Sequence, residues 1–252
     1  PAPPRPPVQV LKVLKTVKNL CMGELESFDE LQRANVIPHV LALLKLKRGG
    51  SLHAEMRNQC VNALYLLCSG KFSKSRQEAA ALGGAFPLMQ EIIEQGSPLR
   101  QFALHIVCDI AKPSKRSRAE LKQHDGVQVY LGLLSMEHWQ EKAFEVLELW
   151  FRDDESYVSR FMASPYGVQQ LQVVMEAANN QSFVQMLEPL KYVISKSTLV
   201  NRALGRIDSL GCAWRRLQPN CRRTAATLPP HCRRTAATLP RHCRDTAATL
   251  PR

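Results

Sequence analysis

The stretch FALHIVCDIAKPSKRSRAELKQHDGV, Phe102 to Val127, places His105, Cys108 and Asp109 within five residues. At spacings i, i+3 and i+4 their side chains meet on one helical face. Such a trio is a chemical site, a metal site, or one turn of a packed helix. The choice turns on whether the pattern stands alone in the chain.

It does not. Aligning TVKNLC (Thr16–Cys21), ALYLLC (Ala63–Cys68) and ALHIVC (Ala103–Cys108) brings Cys21, Cys68 and Cys108 to one position, 47 and 40 residues apart. A residue type that recurs at one position, flanked by Leu or Val, behaves as a small buried hydrophobe. AFEVLE (Ala143–Glu148) is a more divergent copy with Glu148 at that position. Cys108 therefore reads as packing.

Working outward, each long helical segment belongs to a larger plan. ANVIPHVLALLKL, GGAFPLMQEIIEQ, DGVQVYLGLLSM and YGVQQLQVVMEA each open with Asn or Gly and continue as an amphipathic helix. Asn35, Gly84, Gly126 and Gly167 mark these openings at separations of 49, 42 and 41 residues. Shorter, more polar helices precede them: ESFDELQRA, KSRQEAAAL, KRSRAELKQH and ESYVSRFMA. Helical periodicity runs from Val8 to about Leu204, and no period-two run is long enough for a strand. Three helices per unit of about 40–47 residues is the period of armadillo and HEAT arrays, and the Gly-containing junction favours armadillo. The expected fold is all-α, a right-handed armadillo-type α-solenoid of about four repeats. Pro189, inside SFVQMLEPLKYVISK, is expected to kink or divide the last long helix.

The 252 residues carry a formal net charge of +12, which points to nucleic acid until it is divided along the chain. From Arg206 onward there are ten Lys+Arg and two Asp+Glu, a net of +8; the rest holds 24 basic and 20 acidic residues, a net of +4. The basic signal belongs to the tail. There CRRTAATLPPH, CRRTAATLPRH and CRDTAATLPR repeat with an 11-residue period from Cys221 to Arg252. One leucine per unit, a helix-breaking proline and no aromatic cannot offset the entropy of ordering, so residues 205–252 read as a disordered tail. Cys221, Cys232 and Cys243 with His231 and His242 lack the close pair spacings of a closed zinc site. PAPPRPP, residues 1–7, reads as the end of a Pro-rich linker, and the segment 8–204 as the folded part. With Pro1 first and no signal-peptide pattern, the expectation is a piece of a longer intracellular protein. No uninterrupted apolar run is long enough to span a bilayer.

KSRQEAAALGGAFPLMQEII, SPLRQFALHIVCDIA, SKRSRAELKQHDGVQVYLGLL and HWQEKAFEVLELWFRDD resemble the C-terminal armadillo region of septation-initiation protein kinases. These are the fungal septation kinases and the plant MAP kinase kinase kinase epsilon group. The resemblance covers about Val8 to Leu204 and none of the tail. It implies a non-catalytic interaction scaffold that recruits a kinase to its division-signalling complex, in the cytoplasm or at the spindle pole or division site. The Gly-rich loop, HRD and DFG motifs of a kinase domain are absent from this chain, so it is not expected to be an enzyme.

In an armadillo array the third helices line the concave face, where partners bind. On Leu99–Ile110, Gln101, His105 and Asp109 form a narrow polar stripe beside apolar positions. A catalytic dyad needs a nucleophile, which that helix does not supply, so the stripe reads as a groove edge. Peptide-binding armadillo proteins commonly present an asparagine ladder. By alignment its positions here are Asn19, Leu66, Ile106 and Val146, and only Asn19 matches. That argues against a nuclear-import type of peptide recognition and for an apolar or helical partner. Lys12, Lys15 and Lys18 stand on the first long helix and Glu141, Glu145 and Glu148 on the fourth, which would give the groove a positive end and a negative end. The loop cluster Lys112, Lys115, Arg116 and Arg118 reads as a solvated turn, lacking aromatics for base stacking.

The expected partner-binding groove runs through Lys15, Asn19, Asn62, Tyr65, His105, Asp109, Glu141 and Glu145. No catalytic residue, cofactor or metal site is expected, nor a membrane or specific nucleic-acid partner. Two other readings stand beside it: a nuclear-import-type or other armadillo adaptor unrelated to a kinase, and a nonspecific nucleic-acid binder acting through the basic tail.

Overall fold

The structure is a computed structural model that describes residues 7–23, 25–46, 50–69, 73–176 and 181–206. Nearly all of the Pro-rich segment 1–7 and of the basic tail lies outside the described residues. Among the described residues the secondary structure is helical throughout, with fourteen α-helices, one 3₁₀ turn and no strand. The chain divides into two compact units, Pro1–Gly126 and Val127–Arg252.

The first unit holds α1 (Pro7–Cys21), α2 (Leu25–Arg33), α3 (Val36–Leu44), α4 (Ser51–Cys68), α5 (Lys74–Leu82), α6 (Ala85–Glu94), α7 (Arg100–Ile110) and α8 (Lys115–Lys122). Long helices stack on long helices, α1 on α4 and α4 on α7. Each apolar second helix covers the long helix that follows it, α3 on α4 and α6 on α7, while polar α5 lies beside polar α8. This follows from the sequence pattern: α4 buries Cys60, Val61, Leu64, Leu67 and Cys68 along one helical stripe. Burying a Leu or Val fully is worth about 1.5–3 kcal/mol each, so such a stripe fixes which face turns inward.

Reversals between the short helices need a left-handed residue, and Asn35 (φ 52°) and Gly84 (φ 82°) supply it at the expected openings. In the third copy the left-handed residue is Asp125 (φ 53°), one position before the expected Gly126, which instead begins the next helix. Asp tolerates this region better than most residues, so glycine is not required there. The fourth opening uses no left-handed residue. At Gly167 the constraint is space: an added Cβ would strike the carbonyl oxygen of Phe161 and lie 2.8 Å from the Met162 Cα.

The second unit holds α9 (Gly126–Leu133), a 3₁₀ turn at Glu137–Trp139, α10 (Gln140–Asp153), α11 (Glu155–Met162), α12 (Pro165–Glu176), α13 (Gln181–Lys196) and α14 (Thr198–Leu204). Here long α10 packs on long α13, and α11 packs on α14. Trp150 links Tyr130 and Tyr157 at ring-centroid distances of 6.3 Å each. Of the two outcomes expected at Pro189, division of the helix does not occur: α13 runs on through it. Leu190, Val193 and Ile194 beyond the proline are buried, and packing of α13 on α10 outweighs one missing backbone hydrogen bond.

Helix starts are locally specified as well. The side chains of Ser114, Asp154 and Ser197 accept hydrogen bonds from the backbone N–H of Ser117, Tyr157 and Val200, capping α8, α11 and α14. Each cap is worth about 1 kcal/mol.

Candidate functional site

The long helices α1, α4 and α7 each bury one stripe and leave another at the surface. On α4 and α7 the outward stripe carries Asn62, Tyr65, His105 and Asp109, all half-buried. Tyr65 packs edge-on against Phe102 at 5.2 Å between ring centroids and lies 5.6 Å from the His105 ring. A partly exposed aromatic cluster with polar neighbours offers apolar contact area at little entropy cost, since its rings are already held by each other. Sequence reasoning named Tyr65 and His105 but not Phe102, an apolar position on the same helix; the structure adds it, half-buried, to the cluster.

Lys15 and Asn19 on α1 are exposed in the same unit, and Lys15 Nζ lies 3.7 Å from Glu55 of α4. A pair this exposed contributes at most about 1 kcal/mol. Glu141 and Glu145 belong to α10 of the second unit, where both are exposed. Glu148, the third acidic residue of that helix, is bound 2.6 Å from Arg152, whose guanidinium lies 4.9 Å from the Tyr192 ring centre. Of the eight expected groove residues, the structure brings Tyr65 and His105 into ring contact within the first unit, and sets Glu141 and Glu145 one helical turn apart in the second.

The expected asparagine-ladder positions need correction. Ile106 and Val146 are fully buried, so no side chain there can reach a peptide. The register that aligns Cys21, Cys68 and Cys108 therefore matches Asn19 to core positions on α7 and α10 and to the half-buried Leu66 on α4. Arg118 is also not part of a solvated turn. It is buried, and its Nη1 donates to the carbonyls of Ala111 (2.8 Å) and Lys112 (3.1 Å) after the end of α7. Arg76 does the same one helix pair earlier, its Nε donating to Leu67 near the end of α4. Sequence reasoning missed both, although SKSRQE and SKRSRAE share the Ser-Arg pair that places them.

Among the described residues the cysteines are core residues: Cys21, Cys60, Cys68 and Cys108 are all buried. Burial pushes the Cys60 and Cys68 thiols up to about 12, the nearby Asp109 charge adding to the rise at Cys68 and Arg76 opposing it. Cys21 is pushed up to about 11, again by burial. A nucleophilic or metal-binding cysteine needs the opposite shift. Among the described residues no group of three His, Cys, Asp or Glu is placed to hold a metal ion. No helix among them is long and apolar enough to cross a membrane. The tail cysteines and histidines considered for zinc lie outside the described residues.

No family model matches the chain. Among curated proteins it is 33% identical over 201 residues to MAP3K epsilon protein kinase 1 of Arabidopsis thaliana, covering 79% of this chain and 14% of that protein. It is 32% identical over 207 residues to cytokinesis protein sepH of Aspergillus terreus, covering 80% of this chain and 15% of that protein. Cell division control protein 7 of Schizosaccharomyces pombe is 30% identical over 183 residues, 71% of this chain and 17% of its own length. A solved engineered protein overlaps 82% of this chain at a TM-score of 0.45 and 13% identity, too distant to assign a fold. The chain thus spans about one-sixth of the length of the curated relatives it matches. With no Gly-rich loop, HRD or DFG in its sequence and helices throughout its described residues, it is related to a non-kinase part of the MAP3K epsilon and septation kinases.

Proposed function

We propose that this chain is a partner-docking segment of a division-signalling protein kinase, of armadillo type, working by binding and not by chemistry. Two features of each unit support the armadillo reading: long helices stack on long helices, and polar first helices lie beside one another. In such arrays the long helices present the binding face. The kinase context rests on the match to MAP3K epsilon and septation kinases outside their catalytic motifs.

The observation that carries the reading is the half-exposed ring cluster of Tyr65, Phe102 and His105, flanked by Asn62 and Asp109. Aromatic anchors in a polar surround are where interface affinity concentrates, whereas exposed charges such as Lys15 and Glu145 set orientation and association rate. The test is affinity capture of division-signalling components by the full chain, compared with Tyr65→Ala and with the double reversal Lys15→Glu, Glu145→Lys. Each variant is first matched to the parent by helicity and melting. Tyr65→Ala is expected to weaken capture by about tenfold or more, within the range of a hot-spot residue. Equal capture by all three proteins removes this surface from the function.

A further inference from the structure

A serine followed by proline occurs twice in the chain, at Ser97–Pro98 and Ser164–Pro165. The two hydroxyls do different work. Ser164 precedes α12: its Oγ donates to the Phe161 carbonyl at 2.6 Å and accepts from the Gly167 N–H at 3.1 Å. Pro165 is the first residue of that helix, where a missing N–H costs nothing. Ser97 stands in the turn between α6 and α7, and its Oγ only accepts, from the Leu99 N–H at 3.2 Å. Gln95, Gly96, Pro98 and Arg100 around it are exposed, and Ser97 itself is half-buried. Arg100 lies three residues after Ser97, where the buried Gly167 follows Ser164. An enzyme groove can be apolar where it takes proline, since proline has no N–H to leave unpaired. A base three residues after the acceptor pairs with an acidic rim. GSPLR therefore carries both features by which a proline-directed Ser/Thr kinase selects its serine.

The first unit also holds a receiver for a phosphate. Ser97 borders a cavity of about 560 Å³ walled by α3, α4 and α6, whose ionisable lining is His53, Arg57 and Glu91. Arg57 Nη2 donates to Gln95 Oε1 at 2.8 Å, so its guanidinium already reaches the turn, two residues from Ser97. That reach comes from the length of α4, which starts 17 residues before Cys68, whereas α7 and α10 start 8 before Cys108 and Glu148. A phosphate offers the guanidinium a charged, forked pairing that a neutral amide does not. Glu91, the acidic member of the lining, is already held by Gln95 Nε2 at 3.1 Å. The first turn of α7 has no acidic residue, and its N–H end favours an anion at Ser97.

We infer that Ser97 is a phosphorylation site for a proline-directed Ser/Thr kinase, and that Arg57 receives the phosphate and ties the α6–α7 turn to α4. The γ-phosphoryl group of ATP passes to the Ser97 Oγ. A new O–P bond forms there, the bond to the bridging oxygen breaks to release ADP, and the hydroxyl proton goes to the kinase's base. This site is separate from the Tyr65 cluster and does not depend on it.

The test incubates the full chain with magnesium-ATP and a proline-directed kinase of the cyclin-dependent class, then maps phosphate by mass spectrometry. Ser97 is expected to be labelled and Ser164 not, with Pro98→Ala slowing the labelling about tenfold or more. Phosphorus NMR then follows the second ionisation of the phosphoserine, ordinarily near pH ~6. Its midpoint is expected to lie about half a pH unit or more below that of the urea-unfolded chain, and Arg57→Gln to remove the difference. Arg57→Gln is expected to keep the parent helicity, since its partner Gln95 is exposed. If it does not, Arg57→Met, which keeps the packing of the stem, takes its place. Labelling of Ser97 only after unfolding or not at all, labelling indifferent to Pro98→Ala, or equal labelling of Ser164 overturns the inference. So does a midpoint that matches the unfolded chain or that neither Arg57 variant moves.

Discussion

Arg76 of α5 donates its Nε–H to the carbonyl oxygen of Leu67 at 2.8 Å, closing the end of α4 from a different helix. Its guanidinium sits 4.7 Å from the centre of the Phe28 ring, and the residue is buried. A cation at a helix C-terminus meets the negative end of the macrodipole and satisfies a carbonyl that the helix cannot. Arg76→Ala removes a charged hydrogen bond and a cation–π contact together and is expected to cost about 2–4 kcal/mol in urea unfolding. Arg118→Ala, which strips two carbonyls after α7, should fall in the same range, about 2–4 kcal/mol. A loss under about 0.5 kcal/mol for both would show that water replaces the guanidinium at no cost.

The buried thiols make stability depend on alkaline pH. Cys68 has an ordinary value of 9.0 raised to about 12 in the fold, chiefly by burial. Between those values the folded state keeps the proton and the unfolded state releases it, so stability falls as pH rises through that window and is flat below it. Subtracting the profile of Cys68→Ala, itself expected to cost about 1–2 kcal/mol, isolates this slope. Site-resolved alkylation at pH 8 should label Cys21, Cys60 and Cys68 only as fast as the chain opens. Prompt native-state labelling of Cys68 would refute its burial.

Gly167 tests close helix packing without any conformational argument. Its added methyl would meet backbone of Phe161 and Met162, atoms that no side-chain rotation can move away. Gly167→Ala is expected to destabilise by about 3 kcal/mol. Gly84→Ala, where the difficulty is a left-handed φ of 82° and the added methyl would meet only the Lys45 Nζ at an ordinary 3.8 Å, should cost only about 1–2 kcal/mol. Thermal melts of the two variants should rank in that order.

Charge division along the chain predicts where any nucleic-acid affinity resides. Removing the residues after Gly205 takes away a formal +8 and leaves +4. Retention on single-stranded DNA is expected to be weak, to fall steeply with salt, and to vanish on that deletion. Retention that survives deletion and resists salt would place the binding on the helical units.

Much of this protein is set by its sequence alone. The helical period, the three-helix grouping and the burial of Cys21, Cys68 and Cys108 are local, repeated properties, and aligned copies reveal them because each copy solves the same packing problem. The openings at Asn35 and Gly84 are legible for the same reason. What covers each helix is not local. Asn19, Leu66 and Ile106 align, yet the first is exposed, the second half-buried and the third buried. Arg118 looks like a surface charge until the carbonyls of Ala111 and Lys112 are placed beside it. Phe102 is one apolar position among several on its helix until Tyr65, 37 residues away in sequence, is placed at its edge. The sequence determined the units; the tertiary structure decided which faces they bury and which they leave open, since burial belongs to pairs of elements and periodicity to one.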